Sequence, residues 1–469
     1  MRSEAPVVAG AQRFGWFEDV SREHGFEPLR IEGNLPHELA GTLYRAGPGL
    51  FGSFGRRYDH LFEGDGAVSA VRFGGGGAHG AHRVVQSAGL AAERAAGRPL
   101  YGSAAPRLRR IANAIGGRGK NVANTNALAW QGRLFALVES SRPTELAPDT
   151  LATLGETDLG GAVLETFTAH PHRVAARRAT YGFGVRFGRA PALELYELSD
   201  RAAARRLGEI ALEANTVVHD FIATERHLAF AIGPARLRAL RVLLGEASAD
   251  RFFRWEPERG SEIIVAPIDA PGEIVRFRTD AFFVWHFANA FERGGAIVAD
   301  FVRHPDLRAI GTMRDEAVRG GAIVDMDGGD LCRAVIDSGR ASMQIERVWG
   351  ESCEFPTVDV RGAGSPRRYA WVATTEKRPR SIARFDFERG DAVLWTPPPG
   401  QHVSEPVFAP RPGGDGECDG WILVLVYEER AHTSHIAVLD AARPEHGPLA
   451  QAHFDHHVPL TLHGTWVGS

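Results

Sequence analysis

From residue 41 onward the chain is written in short apolar segments divided by polar or Gly- and Pro-containing turns, the pattern of half-buried and buried β-strands. Residues 41–49 form a strand running into a Gly-Pro turn. Residues 60–73 form two strands around Gly64-Asp65-Gly66, and residues 124–130 and 133–139 form a hairpin about Gln131-Gly132. Residues 215–230 predict another hairpin around Thr224-Glu225-Arg226-His227, with His219 inside its first strand. Further strands are expected over 262–267, 295–300, 322–326, 369–374, 421–427 and 436–440. Residues 1–40 are expected to be mostly irregular. The rhythm breaks for helices over 89–96, 106–115 and 236–244. The last two are basic and amphipathic, with Leu237, Leu240, Leu243 and Leu244 at helical spacing. Such a run fits either a helix lying on a membrane where an apolar substrate dissolves, or one packed over the core with solvated arginines.

Many short antiparallel strands without a linker predict an all-β fold, a β-propeller or large barrel, forming a single domain over 1–469. The 54 Gly and 27 Pro fit tightly turned strands. A net charge of −4 gives no reason to expect nucleic acid or attraction to an anionic surface. Cys332, Cys353 and Cys418 have no CxxC spacing, which argues against thiolate metal sites and a disulfide framework. The N-terminus lacks the apolar core of a signal peptide, so a soluble, cytoplasmic protein is expected.

His219 sits among residues that favour burial, and a buried imidazole needs a partner. His170, His286 and His463 stand in similar settings. Four such histidines scattered along one chain suggest a metal held by strands that meet only in the fold, and a propeller brings inner strands of several blades to one axis. Imidazole nitrogen suits Fe, Zn, Cu and Ni alike. Ligand imidazoles usually donate their other N–H to a carboxylate or carbonyl, and three glutamates occupy otherwise apolar contexts: Glu139, Glu354 and Glu405. Of the remaining histidines, His79, His82, His402, His432, His435 and His446 read as loop residues. His172 reads as lying in a turn past a strand end; His453, His456 and His457 form a cluster of the kind that can bind metal, but a polar tail segment explains them better. Glu63 and Asp65 could be paired catalytic carboxylates, but a turn explains them better.

The chain resembles the carotenoid cleavage oxygenases along nearly its whole length, through LYRAGPGLF, HLFEGDGAV, KNVANTNALAW, LFALVES, TAHPH, VVHDFIATERHLAF, FRWEPERG, WHFANAFE, CEFPTVD, SEPVFAPR and LHGTWV in that order. The resemblance implies a seven-bladed β-propeller capped by a helical dome, with Fe(II) on its axis. His170, His219, His286 and His463 match the ligand positions, and Glu139, Glu354 and Glu405 the supporting glutamates. Thr125 matches a position beside the vacant side of the metal. The implied reaction adds both atoms of O2 across one C=C bond of an apolar polyene, a carotenoid or apocarotenoid, giving two carbonyl products. Glu63 and Glu256 replace the aspartates usual at their positions, touching no ligand. Stilbene-cleaving members typically carry Lys near the first glutamate, where this chain has Val138. Stilbene cleavage and retinoid isomerohydrolase-type activity are the alternatives on the same fold; a non-catalytic binding platform and a carboxylate-pair hydrolase lie outside it. Contact with a membrane through 106–115 and 236–244 remains an expectation, and nothing in the sequence sets the oligomeric state.

Overall fold

A computed structural model describes residues 15–319, 328–375 and 380–469. It is mainly β, organised in antiparallel sheets whose strands follow one another in the chain. The first large sheet runs His24–Pro28, Gly77–Val84, Asp65–Gly74, Gly41–Leu50 and His463–Gly468, so the last strand closes onto one of the first. Three four-stranded sheets follow, with edge strands Asn126–Trp130, His172–Val174 and Ile222–Ala223. A seven-stranded sheet then begins at Phe283–Arg293 and is threaded through its middle by the 16-residue strand Ser342–Thr357. The last large sheet has Gln401–Pro410 at its edge and Arg30–Gly33 at the other.

The core lies between sheets. Tyr181, Phe183 and Leu195 of one sheet pack on Phe221, Phe230 and Ile264 of the next, and Leu43 and Phe73 of the first sheet pack on Trp421 and Leu423 of the last. Inner strands of the large sheets bury both faces against neighbours, which is why strands such as Gly420–Glu428 read as unbroken apolar runs rather than alternating ones. The strands Asn126–Trp130, His463–Gly468, Gln401–Pro410, Ser342–Thr357, Phe283–Arg293, Ile222–Ala223 and His172–Val174 abut one another in that order. All but Ser342–Thr357 are sheet edges.

Several elements differ from the sequence reading. Residues 24–33 are not irregular: His24–Pro28 and Arg30–Gly33 add outer strands to two sheets. The strand at 41 does not stop at its Gly-Pro, because a bulge between Pro48 and Leu50 absorbs the proline. His219 lies in an extended segment ahead of the short strand Ile222–Ala223, not within a strand. Helices form at Ala88–Ala96 and Arg107–Ile115 as expected, but 236–244 divides into the strand Ala235–Leu237, paired with Phe253–Trp255, and the short helix Ala239–Leu243. The strand expected over 322–326 lies outside the described residues. Asp65 is no turn residue. It begins a strand and is buried with Lys120, Nζ 2.6 Å from its carboxylate, while Lys120 also meets buried Glu93 at 2.7 Å.

Candidate metal centre

The abutting strands deliver all four histidines to one place. His286 lies within Phe283–Arg293 and His463 opens the strand His463–Gly468; His170 and His219 stand just ahead of His172–Val174 and Ile222–Ala223. Ring nitrogens of His170, His219 and His286 gather within 4.8 Å of one another. His286 Nε2 lies 3.4 Å from His219 Nε2 and 3.1 Å from His463 Nε2. The His170 ring is 4.4 Å from that of His219 and 4.6 Å from that of His463, centre to centre.

The far nitrogens are held by carboxylates. Nδ1 of His286 meets Glu354 at 2.5 Å, Nδ1 of His463 meets Glu405 at 2.8 Å, and Nδ1 of His219 meets Glu139. A carboxylate can only accept, so the Nδ1 of His286 and of His463 carries the proton and their Nε2 atoms present lone pairs inward. His170 has no glutamate, and its Nε2 is buried without a hydrogen-bond partner. Several bare imidazole nitrogens facing one another in a dry site repel unless a cation sits among them, so the residues fit a metal with nitrogen preference. Burial, reinforced by the neighbouring imidazoles, pushes the His170 pKa well below its ordinary value, and burial also lowers that of His463. Neutral imidazole is the ligating form. Burial works against charge on His286 too, but the Glu354 carboxylate outweighs it and raises that pKa.

Thr125 is buried beside the cluster, its carbonyl accepting from the His463 backbone N–H at 3.2 Å and its hydroxyl donating to Asn124 at 3.1 Å.

Other supports were not singled out from the sequence. His304 donates to the second oxygen of Glu354 at 2.6 Å, so that one carboxylate aligns two imidazoles. Asp220 accepts from the backbone N–H of Phe287 at 2.7 Å and contacts His172 Nε2 at 2.7 Å, tying the His219 segment to the strand bearing His286. His172 is thus a strand residue with a structural partner rather than a turn residue. Buried Arg45 donates to the Glu405 carbonyl at 3.0 Å and to Thr461 at 2.7 Å. Asp220 and Arg45 had a visible signal, a charged side chain inside an apolar run, while His304 and His172, beside Pro and Arg, had none.

Most of the remaining histidines lie in strands rather than loops. His79 and His82 lie in Gly77–Val84, His402 in Gln401–Pro410, His435 in Thr433–Asp440, and His446 ends a short 3-10 helix; only His432 lies in a turn. His456 and His457 are buried rather than in a solvated tail, because the chain after Pro448–His453 folds back over the first sheet.

A cavity of about 490 Å³ reaches His219, Glu139 and Thr125, walled by Phe62, Val138, Val217, Phe253 and Trp285 and bordered by the helix Arg107–Ile115. A second apolar pocket, with Phe62, Trp285 and Phe355 in its wall, touches His219, His286 and His463.

A family model described as retinal pigment epithelial membrane protein matches residues 17–468. The chain is 34% identical to apocarotenoid-15,15'-oxygenase of Synechocystis over 100% of both chains, and 27% identical to lignostilbene-alpha,beta-dioxygenase isozyme III of Sphingomonas paucimobilis over 94% of this chain and 93% of that one. The structure of cobalt-substituted Synechocystis ACO superposes with a TM-score of 0.89 at 32% identity, covering 97% of this chain and 98% of that one.

Proposed function

The chain belongs to the carotenoid cleavage oxygenase family, that of the retinal pigment epithelial membrane protein, and from that premise we propose that it is an iron(II)-dependent dioxygenase cleaving a conjugated C=C bond of a carotenoid or apocarotenoid with O2. Both oxygen atoms enter the products, one in each new carbonyl, with no external reductant. The observation that carries this reading is the set of imidazoles converging with three of their Nδ1 atoms on glutamates.

Iron(II) bound to His170, His219, His286 and His463 would supply the site at which O2 is activated. The chain's own residues do the rest. Glu139, Glu354 and Glu405 fix the tautomer and aim of three rings. Phe62, Trp285 and Phe355 line the approach with apolar surface that excludes water and suits a polyene. Thr125 borders the same space. Val138 stands beside Glu139 in the cavity wall and offers no polar group to a phenolic oxygen, which favours a carotenoid-like substrate over a stilbene.

The order in which seven strands abut supports a seven-bladed propeller over one domain, 1–469, with the seven-stranded sheet contributing two blades joined through Ser342–Thr357. Arg107–Ile115 and Ala239–Leu243 form part of a dome at the cavity mouth. Leu108 is 82% exposed and Leu240 69%, with Ile115, Leu243 and Leu244 beside them, which supports peripheral contact of a cytoplasmic protein with a lipid surface holding the substrate. No described helix is long and apolar enough to cross a membrane.

Incubation of the iron-loaded protein with a long apocarotenal under 18O2 tests the reaction. The expected result is two carbonyl fragments, each labelled when trapped before exchange with water, and none without O2. Product formation that persists in the absence of O2 would replace cleavage by isomerisation.

A further inference from the structure

Far from the axis, three imidazoles meet where the chain near its C-terminal end packs on the first sheet. His24 and His82 are cross-strand partners on adjacent antiparallel strands, so their side chains share a face. His456 lies against both, its ring 5.0 Å from that of His24 and stacked on that of His82 at 5.6 Å with an interplanar angle of 6°.

The hydrogen bonds define the chemistry. His24 Nδ1 lies 2.8 Å from the carbonyl of Gly25, and His456 Nδ1 lies 2.7 Å from the carbonyl of His457. A carbonyl oxygen only accepts, so each Nδ1 is the protonated nitrogen and each Nε2 is left with a lone pair. Those two Nε2 atoms face each other at 2.9 Å. Two lone pairs cannot form a hydrogen bond with one another; either a shared proton or a metal cation must relieve the contact. The arrangement repeats the axial centre, where His286 and His463 have anchored Nδ1 atoms and Nε2 atoms 3.1 Å apart. His82, 1% exposed, stacks on His456 and holds that ring in place, while its own buried Nδ1 has no hydrogen-bond partner.

We propose that His24 and His456, with His82 packed against them, form a second metal site that takes a borderline divalent transition ion such as Zn2+, Cu2+ or Ni2+. Backbone carbonyls preset both ligand tautomers, so the ion meets bare nitrogens without first removing a proton. The site joins the early strand His24–Pro28 to the segment following Pro448–His453, so occupancy clamps two remote parts of the chain. It does not depend on iron or on the cleavage reaction.

Calorimetric titration of the iron-loaded protein with Zn2+ tests the proposal, iron content being measured before and after. The expected result is one further equivalent of Zn2+ bound while the iron is retained, with that equivalent lost in His24→Gln and in His456→Gln. His24 lies on an outer strand, and glutamine keeps a side chain of similar reach against Phe454 there. No uptake beyond the iron, the outcome if a shared proton alone joins the two rings, would overturn the site, as would undiminished uptake in both variants.

Discussion

Glu354 holds His286 at 2.5 Å and His304 at 2.6 Å while accepting the Phe355 backbone N–H at 2.7 Å. Replacing it with Gln keeps the shape but forces an amide to satisfy two imidazole donors. Glu354→Gln should therefore lower iron affinity or turnover by roughly 10–100-fold while the melting transition persists; metal analysis and single-turnover rates check this, whereas His453→Ala should leave iron binding unchanged. Lys120 is a different case, since it is the cation shared by buried Asp65 and Glu93. Lys120→Met strands two carboxylates in an apolar setting and should cost about 3–5 kcal/mol in denaturant unfolding. Glu63 carries a pH signature. Burial pushes its carboxyl from 4.5 up to about 7. Between those values the folded protein keeps a proton that the unfolded chain releases, so this group makes stability fall as pH rises through the window. Glu63→Gln should flatten that slope and add on the order of 2 kcal/mol above neutrality, with no gain at acid pH. At this scale the sequence was legible wherever an odd residue interrupted an apolar run, as at His219, Glu354 and Glu405. Asp220 and Arg45 carry the same mark, whereas His304, between Arg303 and Pro305, does not, and the partners of all three lie remote in sequence. His456 stood out as part of a histidine cluster, but its partner His24 had no local signature.

Elements were most legible where one pattern held from end to end: Tyr369–Thr374 has the expected bounds, and Arg107–Ile115 is the helix its spacing implies. The reading failed where pairing between elements overrode local preference. Ala235–Leu237 pairs as a strand with Phe253–Trp255, which halts the helix expected from 236. Pro48 stays within a strand because a bulge accommodates it. The strand of His24–Pro28 exists only because Gly77–Val84 offers it an edge. The helices Arg107–Ile115 and Ala239–Leu243 share a testable property. Leu108→Asp combined with Leu240→Asp should sharply reduce co-sedimentation with lipid vesicles and slow turnover of vesicle-borne polyene. Iron content and thermal stability should remain unchanged, because both side chains are mostly exposed. Equal sedimentation of variant and wild type would remove these helices from membrane contact.

For the whole molecule, the arrangement of sheets explains how the site is built from such distant residues. Sheet edges bearing or adjoining His170, His219, His286, Glu405 and His463 abut in sequence, and the long strand Ser342–Thr357 adds Glu354 from the middle of its sheet. No single segment could assemble these groups; closure of Gly41–Leu50 with His463–Gly468 completes the set by bringing in the last histidine. The all-β class was written in the strand rhythm, while the convergence of histidines followed only from assuming a fold with a common axis. The most direct measurement is the iron content of purified protein after reconstitution with Fe(II), in wild type and in His219→Ala. The account predicts one iron per chain in wild type and its loss in the variant with the fold retained. Absence of iron from both proteins, or equal iron in the two, would contradict it.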